Sequence, residues 1–216
     1  IIQRAWSKQP FSYDGRFFQF KDVSVWPPPL QRPHPPIWGA CTANPESFAW
    51  FGRHGFNLLT VVHVKPWEET ARLIDTWRQA AADGGHDPAK LQVATHYQVY
   101  CCEDHDEAIR DGVQAMIAYR ELNTAARLQG SMTLPGRDSA PPEVLIADGR
   151  SCVGTPDECA AILRQAQERL DVTAIDCTFY FGGIPYDKVR RSFELFSREV
   201  MPRFRAESKL VEALSK

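Results

Sequence analysis

The sequence predicts an α/β fold in which a parallel sheet is covered by helices. Three observations carry that expectation. Residues 37–41, 56–62, 91–102 and 174–181 are short apolar runs rich in β-branched and aromatic side chains, the composition of strands buried on both faces. Segments with apolar residues at helical spacing follow them, so strand and helix alternate along the chain. The 216 residues are 44% hydrophobic and 24% charged, enough for one large domain with a real core, and residues 1–216 are read as a single domain.

Each element has a local reason. Ile1-Ile2-Gln3-Arg4-Ala5-Trp6 is helix-like, with no initiator Met or leader ahead of it, which reads as a cut through a larger protein. Residues 11–25 place aromatics on both sides of Asp14-Gly15, a hairpin signal. The prolines of 26–36 permit neither helix nor central strand, so this stretch is an extended connector. After strand 37–41, Asn44 and Pro45 are a favoured cap and first residue for a helix that Gly55 stops. Strand 56–62 is followed by Trp67, Ala71, Ile74, Trp77 and Ala81 at helical spacing, and strand 91–102 by a helix marked by Ala108, Ile109, Val113, Met116 and Ile117. Residues 122–151, with Gly130, Pro135-Gly136, Pro141-Pro142 and Gly149, read as a lid-like loop. Thr155-Pro156-Asp157-Glu158 caps a helix ahead of strand 174–181, and Val189, Phe193, Phe196 and Val200 mark the last helix. A closed barrel of this kind needs eight strand–helix units in roughly 250 residues, and this chain shows half that number.

Charge excludes some functions. Twenty-five Lys and Arg against 27 Asp and Glu give a net charge of -2 without basic tracts, unlike a nucleic-acid or lipid arm. No apolar run approaches the ~20 residues of a spanning helix, so a soluble, cytoplasmic protein is expected. The six cysteines lie mostly in apolar segments and the six histidines are scattered, which predicts reduced thiols and no metal site.

Ligands of parallel α/β folds sit at the carboxyl ends of the strands. Residues 41–47 put Ala43, Asn44 and Ser47 at a helix start, where amides and the dipole favour a phosphate; the plainer reading is that Asn44 only caps the helix. His63 stands at the second strand exit, as a catalytic imidazole or as a satisfied structural residue. Phe179-Tyr180-Phe181-Gly182-Gly183, at the last exit, combine a flat aromatic surface with bare backbone that a planar ring could approach, or are core aromatics followed by a turn; Phe181, Gly182 and Gly183 are the candidate cofactor contacts.

Together these segments resemble the bacterial luciferase-like, flavin-dependent monooxygenase family from Arg4 to Phe204. The most specific stretch is Phe11-Ser12-Tyr13-Asp14-Gly15-Arg16-Phe17, then Pro28, Pro29, Gln31, Pro33 and His34-Pro35-Pro36-Ile37-Trp38. Pro45-Glu46-Ser47, Val153-Gly154-Thr155-Pro156-Asp157-Glu158, Phe181-Gly182-Gly183-Ile184-Pro185 and Glu199-Val200-Met201-Pro202 resemble its later signatures. The resemblance implies the C-terminal portion of a (β/α)8 TIM-type barrel with the hairpin as an insertion. The barrel is incomplete here, since the first strands would precede Ile1, and the chain alone is expected to be inactive. It also implies FMN, reduced by a partner flavin reductase, with oxygen and a small organic substrate, in a homodimer when full-length. FAD and a deazaflavin are the alternative cofactors. A deazaflavin-dependent reductase or dehydrogenase, or a flavin-binding protein without turnover, are the alternative functions. By resemblance Ala43, Asn44 and Ser47 correspond to phosphate contacts, with Asn44 standing where the family often has serine.

Overall fold

The computed structural model describes residues 1–7, 10–128 and 140–205. They fall into two compact units divided between Trp38 and Gly39. The first unit holds α1 (Ile2–Ser7) and an antiparallel hairpin of β1 (Phe11–Asp14) and β2 (Gln19–Val23). The Gly15 amide closes its turn on the Phe18 carbonyl at 3.0 Å. The register runs Phe11↔Val23, then Tyr13↔Phe20, so β2 carries one extra residue, a bulge. Asp22 takes φ +50 there, and its amide donates to Ser12 Oγ at 3.0 Å.

The second unit alternates as the apolar runs require. From the unit boundary onward come β3 (Trp38–Ala40), α2 (Pro45–Arg53), β4 (Asn57–Val61), α3 (Trp67–Asp83), a 3-10 turn (Pro88–Lys90) and β5 (Val93–Cys101). They are followed by α4 (His105–Leu128), α5 (Pro142–Ala147), β6 (Cys152–Gly154), α6 (Pro156–Leu170), β7 (Ala174–Thr178), α7 (Tyr186–Glu199) and α8 (Pro202–Arg205). In the sheet β3 neighbours β4, β4 pairs parallel with β5, and β7 pairs parallel with β5. Residues 94–96 bond to both β4 and β7, so those two strands flank β5 on opposite edges. The expected strands at 37–41, 56–62, 91–102 and 174–181 are therefore the four neighbours of this walk, with β4, β5 and β7 parallel.

Side-chain alternation sorts the sheet into two faces. Leu58 and Val62 from β4 and its exit, with Val93, Tyr97, Val99 and Cys101 from β5, join a helix-side core with Phe48, Ile74, Trp77, Leu163, Leu170 and Phe196. Trp77 buries its ring and satisfies Nε1 on the Phe56 carbonyl at 3.0 Å. Burying a polar-tipped aromatic requires such a partner. A second cluster forms at the carboxyl ends from Tyr100, Ala115, Met116, Leu145, Val153, Phe181, Ile184 and Val189. Start signals also behave locally: Thr155 Oγ1 accepts from the Glu158 amide at 3.4 Å, and Glu158 Oε2 accepts from the Thr155 amide at 2.8 Å. This reciprocal cap stabilises α6 by about 1 kcal/mol.

Two features depart from the sequence reading. Residues 122–128 continue α4, and 142–147 form α5, so the expected loop over 122–151 is shortened from both ends; 129–139 lie outside the described residues. Pro141-Pro142, read as a break, instead starts a helix, because proline is well tolerated at a first helical position. The three-residue β6, unforeseen, pairs with 99–101 of β5 beyond the reach of β7. It is too short to show a periodicity of its own.

Candidate functional site

The α2 start is built by a short sequence signal. Asn44 adopts the extended cap conformation (φ -86, ψ 113) and its Oδ1 accepts from the Glu46 amide at 2.9 Å. The Asn44 carbonyl accepts from the Ser47 and Phe48 amides at 3.1 and 3.3 Å, and Pro45 has no N–H to offer. The first-turn amides of 46–48 are thus already bonded within the chain, which corrects the expectation that they await an anion. Side chains remain: Asn44, Glu46, Ser47, Trp50 and Phe51 line a shallow open cleft, with Ala43 half-buried just before it. Asn44 Nδ2 and Ser47 Oγ can donate to a phosphate there, while the Glu46 carboxylate opposes a dianion at the same helix end.

His63 sits in the turn after β4, half-buried between the buried Val62 and Val64, and is engaged in interactions of its own. Further along this turn the Lys65 carbonyl accepts from Arg150 Nη1 at 3.2 Å. The β7 exit divides its aromatics and glycines between core and surface. Phe181 is 3% exposed inside the second cluster, so its ring offers no open face. Gly182 has φ +58, and a Cβ there would lie 1.8 Å from the Ala115 carbonyl oxygen of α4. Its bare backbone is consumed by helix packing. Gly183, at φ +75, faces open space. The exposed ring of this exit is Tyr180, at 65%, while Phe179 packs edge-on against Phe193 and Phe196 with centroids 5.2 Å away.

The sequence reading passed over the sheet face turned away from the helices. There the alternate residues Ala94, His96 and Gln98 of β5 stand in register with Ala174, Asp176 and Thr178 of β7. His96 Nδ1 lies 2.8 Å from Asp176 Oδ2, with side chains 23% and 56% exposed. On the other edge Leu59 and Val61 are in register with Ala94 and His96. A weak signal was present, since the polar His96 and Gln98 stand two apart in a mostly apolar run; the run's overall apolarity hid it.

Thiol chemistry does not compete. All six cysteines are free, and burial pushes Cys41 up to about 11 and Cys177 to about 12, far from a thiolate at neutral pH. Among the described residues no group of three or more His, Cys, Asp or Glu is arranged to hold a metal. No described helix is long and apolar enough to cross a membrane.

The profile of the luciferase-like monooxygenases matches residues 1–173. The chain belongs to this family. One member-like relative is the oxygenase component of a flavin-dependent trigonelline monooxygenase from Acinetobacter baylyi, 25% identical, with 97% of this chain and 59% of the relative covered. A monooxygenase from Streptomyces bottropensis superposes with a TM-score of 0.78 at 26% identity, over 94% of this chain and 58% of that one. The fold is also that of the oxygenating constituent of 3,6-diketocamphane monooxygenase from a Pseudomonas putida plasmid, solved with FMN, at TM-score 0.67 and 21% identity, covering 94% of this chain and 59% of that one. The chain therefore spans somewhat under two thirds of the proteins it matches, and its four-stranded walk corresponds to part of a barrel.

Proposed function

We propose that the protein acts as a flavin-dependent monooxygenase, taking reduced FMN from a separate reductase and using oxygen to oxidise a small organic substrate. The observation that carries this reading is the family match over residues 1–173, on a sheet that carries His96, Gln98, Asp176 and Thr178 on the face turned away from the helix-side core. The likeness to an oxygenase component supports the separate reductase. When bound, reduced flavin supplies the electrons that oxygen chemistry requires.

The chain's own residues fit such a group in a limited way. Asn44 Nδ2 and Ser47 Oγ hold the phosphate from the edge of the α2 cleft, without the amides of 46–48, which stay in the cap. Gln98 and Thr178 offer neutral hydrogen-bonding groups to a ring edge, and Tyr180 an exposed flat surface. His63 remains a candidate proton carrier at the β4 exit.

Titrating the protein separately with FMN, FAD and a deazaflavin, and following flavin fluorescence, tests the cofactor. FMN should bind most tightly, and reduced FMN should drive substrate-dependent oxygen consumption. Preferential deazaflavin binding without oxygen uptake would replace the monooxygenase by a reductase or dehydrogenase.

A further inference from the structure

We propose that His96 and Asp176 form a proton-accepting pair for an uncharged substrate carrying an ionisable hydroxyl, a phenol or an enol. The inference rests on the monooxygenase reading only in placing the substrate against the helix-free face of the sheet.

Geometry comes first. The two residues are register partners on adjacent parallel strands, so the backbone rather than a flexible loop sets their separation, and the 2.8 Å contact joins Nδ1 to Oδ2. An ionised carboxylate only accepts, so Nδ1 carries the proton and a neutral ring keeps its lone pair on Nε2. That is the arrangement of a base oriented by a carboxylate.

The surroundings select the substrate class. The row Leu59–Ala94–Ala174 on one side of the pair is apolar, and Gln98 with Thr178 on the other side is polar but neutral. The pair's own row adds only Val61 from β4. Asp176 is thus the one anionic group in these rows, and none of the residues is Lys or Arg. A substrate carboxylate, sulfonate or phosphate would meet Asp176 with no countercharge. An aromatic or enolic hydroxyl suffers no such repulsion, and its ring has the exposed Tyr180 ring two residues beyond Thr178 to lie against.

The step itself is a proton transfer. The substrate O–H bond breaks as Nε2–H forms, the electron pair stays on oxygen, and the resulting imidazolium is held by Asp176 through Nδ1–H. The oxyanion is the more electron-rich form and the one an oxidant attacks more readily.

The test uses 4-nitrophenol, whose phenolate absorbs in the visible, with no flavin added. With protein in excess, the bound probe should ionise about one pH unit lower than the free probe, a tenfold shift in its proton equilibrium. His96→Gln should bind the probe with the free probe's midpoint, and Asp176→Asn should fall between the two. A probe that does not bind, one that keeps its proton when bound, or an undiminished shift in His96→Gln each overturns the proposal. Nitrogen-15 chemical shifts of His96 provide a second readout that needs no variant to fold: the Nδ1-protonated tautomer is expected, and an Nε2-protonated neutral ring overturns the proposal. Because flavin takes part in neither measurement, a failed flavin titration and a failed probe titration refute different statements.

Discussion

Replacing Gly182 by alanine separates packing from ligand binding at the β7 exit, with Gly183→Ala as the control. Both glycines have positive φ, +58 and +75, so each new Cβ costs about 1–2 kcal/mol through the left-handed backbone alone. Only at Gly182 is there an obstacle: its Cβ would stand 1.8 Å from the Ala115 carbonyl oxygen, and that oxygen belongs to the α4 backbone and cannot swing aside. Forcing the two segments apart adds roughly 1–3 kcal/mol, the scale of overpacking. Gly182→Ala should therefore lose about 2–5 kcal/mol and Gly183→Ala about 1–2 kcal/mol. Urea unfolding followed by far-ultraviolet circular dichroism measures both, provided the m-value is unchanged. Equal losses, or a milder effect at Gly182, would refute the packing argument. If Gly182→Ala were no less stable than Gly183→Ala yet lost flavin affinity, Phe181-Gly182-Gly183 would belong to the cofactor site after all.

Ser47→Ala should weaken flavin binding by about 1–3 kcal/mol, the range for a hydrogen bond to a charged group, without loss of stability; unchanged affinity in a fluorescence titration moves the phosphate away from α2. Asn44→Ala should instead cost on the order of 1 kcal/mol of stability, because the cap on Glu46 is lost, and an unchanged urea midpoint would contradict the capping geometry. The Glu158–His105 pair at the α6 cap should give a pH-dependent stability. Burial alone would raise the Glu158 carboxyl, but hydrogen bonds from the Thr155 amide, His105 and the Thr155 hydroxyl outweigh it and hold it below the usual 4.5, so its contribution is lost as pH falls through that lowered value. The Glu158 hydrogen bond, followed by its charge, raises His105 above the usual 6.5, so that contribution is complete below 6.5 and is lost as pH rises through the raised value. Glu158→Gln should flatten thermal midpoints across this range, and an unaltered pH profile would remove the pair from the account. Thr60 and Thr95 are register partners whose buried hydroxyls have no hydrogen-bond partner among the described residues; Thr95→Val should raise stability by about 1 kcal/mol or more, and a lowered urea midpoint would mean that the hydroxyl is satisfied.

The parallel walk was legible because strands buried on both faces are spelled as continuous apolar runs, which periodicity and punctuation delimit within a few residues. The cap at Asn44 and the box at Thr155 and Glu158 were legible for a similar reason: each is closed by residues no more than four positions apart. Residues 142–147 were not, since a proline pair looks alike whether it ends one element or starts the next, and only the packing of Leu145 into the second cluster distinguishes the two.

The candidate site divides along the same line. Local sequence determined that Asn44 caps α2, that β-strand and helix alternate, and that Gly182-Gly183 form a turn, because each depends on backbone preferences of a few adjacent residues. Only the tertiary structure decided that Gly182 packs against α4, that Phe181 is buried, and that His96 meets Asp176 across 80 residues of chain. Those outcomes depend on the register between β5 and β7 and on where α4 crosses the strand ends. Register is a relation between distant segments, and a shift of one residue would turn His96 to the other face of the sheet.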